Sequence, residues 1–201
     1  MRLVFLVGSL LCLLPRAARA QDGDGLYGRL DGDTVLSAGL GAGPTAGADV
    51  DFALALELRG RYLDAAGVVV ATELRPGGTP RLVAAVELRP LFPARFLLGG
   101  ASGVEVLDLT LESIGFELGA ALLPEPALAI GFGLSLPIVP PSVWGRGLWL
   151  RFGARHVRAG SGDQGGPDPP VADWVFLAVL TVRVQVDLGL SGREPPRFHP
   201  R

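Results

Sequence analysis

The chain has 201 residues, enough for one domain, and is 49% hydrophobic with a mean hydropathy of +0.40. Its formal charge is −2, and all 18 basic residues are arginine, so nothing in the charge balance supports nucleic-acid binding. A single cysteine, Cys12, excludes an internal disulfide and a cysteine-based metal site.

Taken in order, the chain begins with a targeting pattern. Arg2 supplies a short positive region, Leu3–Leu14 is apolar, and Ala18-Arg19-Ala20 is a small-x-small cleavage site. Residues 1–20 therefore read as a signal peptide cleaved after Ala20. About twelve apolar residues are too few for a spanning helix. Leu11 stands where a lipid-modified cysteine would want a small residue before it, so no lipidation is expected. Removing this segment takes Cys12 and three arginines, leaving 15 arginines against 20 acids, a formal charge of −5. No later stretch is a continuous apolar run of the roughly 18 or more residues a spanning helix needs, so no transmembrane helix is expected.

Gln21–Asp33 is rich in glycine and aspartate. Asp22, Asp24, Asp31 and Asp33 lack the spacing and closing glutamate of an EF-hand, so they read as turn residues, and no metal is expected. Thr34–Gly43 alternates Leu36, Ala38 and Leu40 against Val35, Ser37, Gly39 and Gly41, which is a strand. Gly39–Gly43 has neither the lysine nor the following helix of a phosphate loop. Pro44–Ala48 reads as a turn.

Asp49–Arg61 is the clearest period-two stretch. Val50, Phe52, Leu54, Leu56 and Leu58 fall on one face, and Asp51, Ala53, Ala55, Glu57, Arg59 and Arg61 on the other. Ala66–Arg75 and Pro80–Arg89 repeat the pattern around the turn Pro76-Gly77-Gly78. These three strands each close on Glu-Leu-Arg, at Glu57–Arg59, Glu73–Arg75 and Glu87–Arg89. Short hairpins would set Arg59 opposite Val69 and Val69 opposite Glu87, placing Arg59 and Glu87 in one interior row.

Leu91–Glu112 is the one long connection. Ser102 with Glu105 is a capping-box signature, and Val104, Leu107 and Leu111 then follow at helical spacing opposite Glu105, Asp108 and Glu112. The competing reading of 103–112 is a strand, because Leu107, Leu109 and Leu111 also alternate; it would need a bulge before the next strand. One short helix is expected. Four further strands follow: Ser113–Leu123, Ala127–Val139, Gly147–Arg158 and Ala172–Leu190. Pro124-Glu125-Pro126, Pro140-Pro141 and a Gly/Pro/Asp loop over 159–170 separate them. The tail, 191–201, is proline-rich and expected to be disordered.

Eight strands with one apolar face, each near the roughly 9–11 residues needed to cross a bilayer, predict an all-β, up-and-down transmembrane barrel over residues 21–190. Its apolar face would meet lipid and its small and charged face would line the lumen. That inward register collects Glu57, Arg59, Glu73, Arg75, Arg81, Glu87, Arg89, Glu117, Arg151, Arg155, Arg183 and Asp187. Of these, Glu57, Arg59, Glu73, Arg75, Glu87, Arg89 and Arg183 are the candidate lumen network, with Arg59–Glu87 as its expected central pair. Charges in a narrow lumen are costly unless paired, and arginine's planar fork suits bridging several carboxylates. The alternative is that these charges sit solvated near the rims.

His156 falls on the lipid-facing register and His199 in the tail. No Ser–His–acid set is placed by the pattern, so no enzyme and no cofactor are expected. Trp144, Trp149, Trp174 and Tyr62 near strand ends suit interfacial belts.

In signal peptide, alternation and strand count the chain resembles the small eight-stranded bacterial outer-membrane β-barrel proteins. That resemblance implies an outer-membrane location and an anchoring, adhesion or envelope-stability role. Lipid and the outer-membrane assembly machinery would be the partners, and the protein is expected to be a monomer. Such barrels commonly finish on an aromatic of the last strand; here that strand ends near Leu190 and Phe198 lies in the tail. A lipid-modifying outer-membrane enzyme and a soluble lipocalin-like periplasmic binder are the competing readings. With the N-terminus in the periplasm, Leu91–Glu112 would be periplasmic and the 159–170 loop outside.

Overall fold

A computed structural model describes Tyr27 and residues 33–47, 50–139, 147–159 and 172–190. Eight antiparallel strands run β1 (Thr34–Ala46), β2 (Val50–Tyr62), β3 (Ala66–Leu74), β4 (Arg81–Leu88), β5 (Gly115–Leu123), β6 (Ala127–Val139), β7 (Leu148–Ala159) and β8 (Ala172–Val186). Each pairs with its neighbours in sequence, and β8 pairs back onto β1, closing an up-and-down barrel. Two helices, α1 (Leu91–Leu97) and α2 (Glu105–Glu112), lie between β4 and β5. They mark what is called here the helical end; the turns after β1, β3, β5 and β7 mark the loop end.

The alternation in the sequence sets which face is which. In every strand the even-numbered residues point outward and the odd-numbered ones inward, save at the strand-end register shifts where exposed Leu123 pairs with Leu82 and Val139 with Leu148. Ion pairs between strands that are not neighbours, such as Arg59 of β2 with Glu117 of β5, identify the odd face as the lumen. Leu40, Leu56, Val70, Val86, Leu118, Ile130, Phe152 and Leu180 are among the exposed outer residues. Among the described strands, Arg158 is the sole charged side chain on the outward register.

Small residues let the lumen close. A Cβ added at Gly41 of β1 would lie 2.5 Å from the Ala178 carbonyl oxygen of β8, so only glycine admits that approach. Beside it, Ala53, Ala55, Val175, Leu177 and Val179 form an apolar plug toward the loop end. A second one joins Ala71, Val83, Ala121, Ala129 and Val157.

Several expectations need correction. β1 continues through Pro44 to Ala46, where a turn was expected; Pro44 faces Phe52 of β2, while pairing with β8 skips Gly43 and Pro44. Proline has no N–H to give a second ladder. β8 stops at Val186, because the Asp33 carboxylate accepts the Leu188 N–H at 2.9 Å and also that of Leu190, turning the chain away. The β3–β4 register differs by two: Val69 faces Ala85, and Glu87 faces Gly67. In the observed register Glu73 stands opposite Arg81; the expected one would have set Arg75 against Arg81, and like charges directly opposite are destabilising.

The connection holds two helices where one was expected. In α1, Pro93 sits in the first turn, where its missing N–H costs nothing. The capping box does not form. Val104 is the N-cap of α2, and its N–H goes back to Ser102 Oγ at 3.2 Å. Trp149 is buried in the lumen and not at an outer belt. Trp144, His199, Phe198, the 160–170 loop, the 191–201 tail and the 1–20 targeting segment lie outside the described residues.

Candidate functional site

The lumen carries a ladder of guanidinium and carboxylate groups that runs most of the barrel's length. Odd-numbered positions supply all of them but Asp64, so the same alternation that makes the outer wall apolar brings most of these charges together. At its centre Arg59 meets Glu57 at 2.7 Å, Glu117 at 2.8 Å and Glu87 at 3.2 Å. Arg151 meets Glu117 at 2.5 Å and lies 3.5 Å from Glu87. Arg155 spans Glu73 at 2.5 Å, Glu117 at 2.9 Å and Glu57 at 3.3 Å. One guanidinium thus ties β7 to β2, β3 and β5, a use that a point-charge lysine fits poorly.

Toward the helical end the ladder continues through Arg61, 2.8 Å from Glu87 and 3.0 Å from Asp64. Arg89 joins Asp64 at 2.9 Å and Glu87 at 3.4 Å. Toward the loop end Arg81 reaches Glu73 at 3.5 Å and Asp173 at 2.7 Å, and Arg75 holds Asp173 at 2.9 Å. The central members are buried: no side chain among Glu57, Arg59, Arg61, Asp64, Glu73, Glu87, Arg89, Glu117, Arg151 and Arg155 is more than 5% exposed. These ten split evenly between acids and bases. The residual cavity beside Glu57, Glu117, Arg151 and Arg155 is about 10 Å³, at the lower limit for a single water.

Of the candidates, Glu57, Arg59, Glu73, Glu87 and Arg89 belong to this connected cluster, together with Glu117, Arg151 and Arg155. Arg75 and Arg81 stand at its part-exposed loop end. Arg183 is inside the barrel, its guanidinium 3.6 Å from the Trp149 ring centre in a cation–π contact. Asp187 is not in the lumen: it lies beyond β8, exposed, with its carboxylate accepting the Gly189 N–H. Arg61 and Asp64 were missed. Arg61 continues the odd-numbered face of β2, which was signal enough. Asp64 sits in the tight turn after β2 at a φ of 52°, and no periodicity points to it.

A second polar cluster holds the connection. The Asp108 carboxylate accepts the N–H groups of Ser102 and Gly103, the Tyr27 hydroxyl at 2.7 Å and the Arg95 guanidinium at 2.5 Å. Burial would raise this carboxyl, but those hydrogen bonds outweigh it and hold the group below the usual carboxylate range. Burial first, and then the bond to Asp108, push the Tyr27 phenol up.

On the outer wall near the loop end, His156 stacks on Trp174 with ring centres 4.8 Å apart, and Trp174 stacks on Phe176 at 6.0 Å. Among the described residues no three His, Cys, Asp or Glu side chains are grouped to hold a metal ion. No described helix is long and apolar enough to cross a membrane, which says nothing about crossing by strands. Chemically, each carboxylate of the central ladder already accepts from at least one arginine. The arrangement fills and braces the lumen. Set against family models, curated proteins and solved structures, the chain finds no match.

Proposed function

We propose that this chain is a small β-barrel of the bacterial outer membrane that serves as a structural or anchoring element of the envelope, its lumen closed by the arginine–carboxylate ladder. The observation that carries the reading is the distribution of charge. Among the described residues eleven buried charges, the ten of the ladder and Arg183, lie inside, and a single charge, Arg158, stands on the outward face of the strands. Water rewards the reverse, whereas hydrocarbon asks for an apolar exterior and a closed sheet with no free edges. The strand lengths, from 8 to 15 residues, suit a bilayer crossing. Tyr62 at the helical end, and His156 and Trp174 at the loop end, lie where interfacial belts occur. The targeting pattern over 1–20 supplies a route to the envelope, and lipid and the assembly machinery are the partners of the monomer.

A lipocalin-like binder would need an apolar pocket inside and a wet exterior. Here the lumen is ionic and its cavity holds at most about one water. The test is fractionation combined with one substitution. The protein should sediment with the outer membrane and migrate differently on gels before and after heating. Leu56→Arg, at mid-strand on the outer wall, should cost about 2–4 kcal/mol in vesicles, the penalty for arginine at the bilayer midplane. Recovery in the soluble periplasmic fraction would overturn the assignment, as would free tolerance of Leu56→Arg.

A further inference from the structure

The connection between β4 and β5 has a polarity that a helix in water does not adopt. α2 buries Glu105, Asp108 and Glu112 together with Leu109, and exposes Leu107 (47%) and Leu111 (37%), with its N-cap Val104 at 56%. A surface helix of a water-soluble domain turns its apolar stripe inward. The exposures of those three residues match those of the barrel's outer wall, where Leu56 is 47% and Phe116 56% exposed.

The sheet shows why α2 resembles wall. β5 begins at Gly115, opposite Gly133, but β6 runs on to Val139. From Leu134 onward β6 therefore has β7 on one side and, among the described residues, no strand on the other. α2 packs against β6 in that gap. Ser113, at the end of α2, accepts the Ser135 N–H on its hydroxyl at 2.7 Å, and the same oxygen lies 2.8 Å from the Ser135 carbonyl. The helix thus covers a strand edge whose backbone groups lipid would leave unsatisfied. Its carboxylates are turned away from solvent, Asp108 onto Ser102, Gly103, Arg95 and Tyr27, while Leu107 and Leu111 stay exposed. α1 adds Phe96, and Leu97 with Leu98 after it, exposed at 50%, 80% and 84%.

We infer that α2 is a helical segment of the barrel wall seated in the bilayer interface, with Val104, Leu107 and Leu111 against lipid headgroups and the first acyl carbons. This rests on the membrane reading above. An interfacial helix of this kind buries its apolar face about 5–10 Å into the headgroup–acyl boundary. The partner is the lipid surface of the leaflet at the helical end.

The test uses the full chain with Cys12→Ser, which leaves any introduced cysteine as the only thiol. Single cysteines replace Leu107 and Leu111, with Leu56 as a mid-wall reference and Thr79 in the β3–β4 turn as an aqueous one. Each carries an environment-sensitive dye in phosphatidylcholine–phosphatidylglycerol vesicles that contain nitroxide lipids. Dyes at 107 and 111 should be quenched several-fold more by a shallow nitroxide than by a deep one. The dye at 56 should respond to the deep nitroxide, and the dye at 79 only to aqueous iodide. Iodide quenching at 107 and 111, with 56 still quenched by lipid, overturns the inference and leaves the membrane reading standing. A dye at 107 shielded from both lipid and iodide means protein covers the face, a second copy included, and overturns it equally. Loss of lipid quenching at 56 as well brings down the membrane reading itself.

Discussion

Glu87 has four cationic neighbours among the described residues: Arg61 at 2.8 Å, Arg59 at 3.2 Å, Arg89 at 3.4 Å and Arg151 at 3.5 Å. The ten charges of the connected cluster among the described residues balance, so removing one carboxylate leaves one uncompensated guanidinium in it. Breaking a buried pair in this way costs about 3–5 kcal/mol. Glu87→Ala should therefore destabilise the refolded barrel by about that much in urea titrations. The partner that best relieves it is Arg61, because Arg59 still serves Glu57 and Glu117, while Asp64 keeps Arg89 when Arg61 is gone. Glu87→Ala with Arg61→Ala should thus recover more than Glu87→Ala with Arg59→Ala. Strict additivity in both double-mutant cycles would mean the ladder is not coupled. The Arg59–Glu87 contact sits where Glu-Leu-Arg repeats pointed, but it arises through a different register. Which arginine serves which acid depends on hairpin lengths, and those are not written in the alternation.

The strands were legible because a one-residue slip would turn every leucine inward and every glutamate outward. Away from the strand-end register shifts at Leu123 and Val139 the even positions of all eight strands face out, and no helix-period pattern competes within them. The connection was less legible for physical reasons. α1, LFPARFL, carries a proline that marks a break in the middle of a helix and is harmless in its first turn. The apparent cap Ser102 was the wrong residue, because Asp108 reaches back from inside α2 to take the N–H groups of Ser102 and Gly103. That carboxylate gives the element a pH dependence. Its folded pKa lies below the unfolded value of about 3.9, so its contribution is present above that value and is lost as pH falls through the folded one. After correction for intrinsic rates, amide exchange at Ser102 and Gly103 should stay slow at neutral pH and accelerate below about pH 4. Asp108→Asn should show the fast rate already at neutral pH, with trypsin cutting after Arg95. Unchanged protection in Asp108→Asn would show that backbone packing alone holds the connection.

At the scale of the molecule, one period-two code performs two separations: apolar from polar, and outer wall from lumen. An eight-stranded barrel has an interior that side chains just fill. Here the filling is part apolar, with Val175, Leu177 and Val179 near the loop end, and part ionic through the middle. The cavity beside Glu117 and Arg155 is about 10 Å³. An ion entering would have to lose its hydration and displace a guanidinium that holds up to three carboxylates, as Arg155 does. The purified protein in a planar bilayer should therefore show no steady conductance at neutral pH. Where charge pairing is the barrier, Glu57→Ala combined with Glu117→Ala, which strips Arg155 down to Glu73 alone, should permit brief anion-selective openings. A steady open state in the unaltered protein would overturn the plug and make a pore the better account. Silence in the double variant would place the barrier in the apolar filling beside Val179.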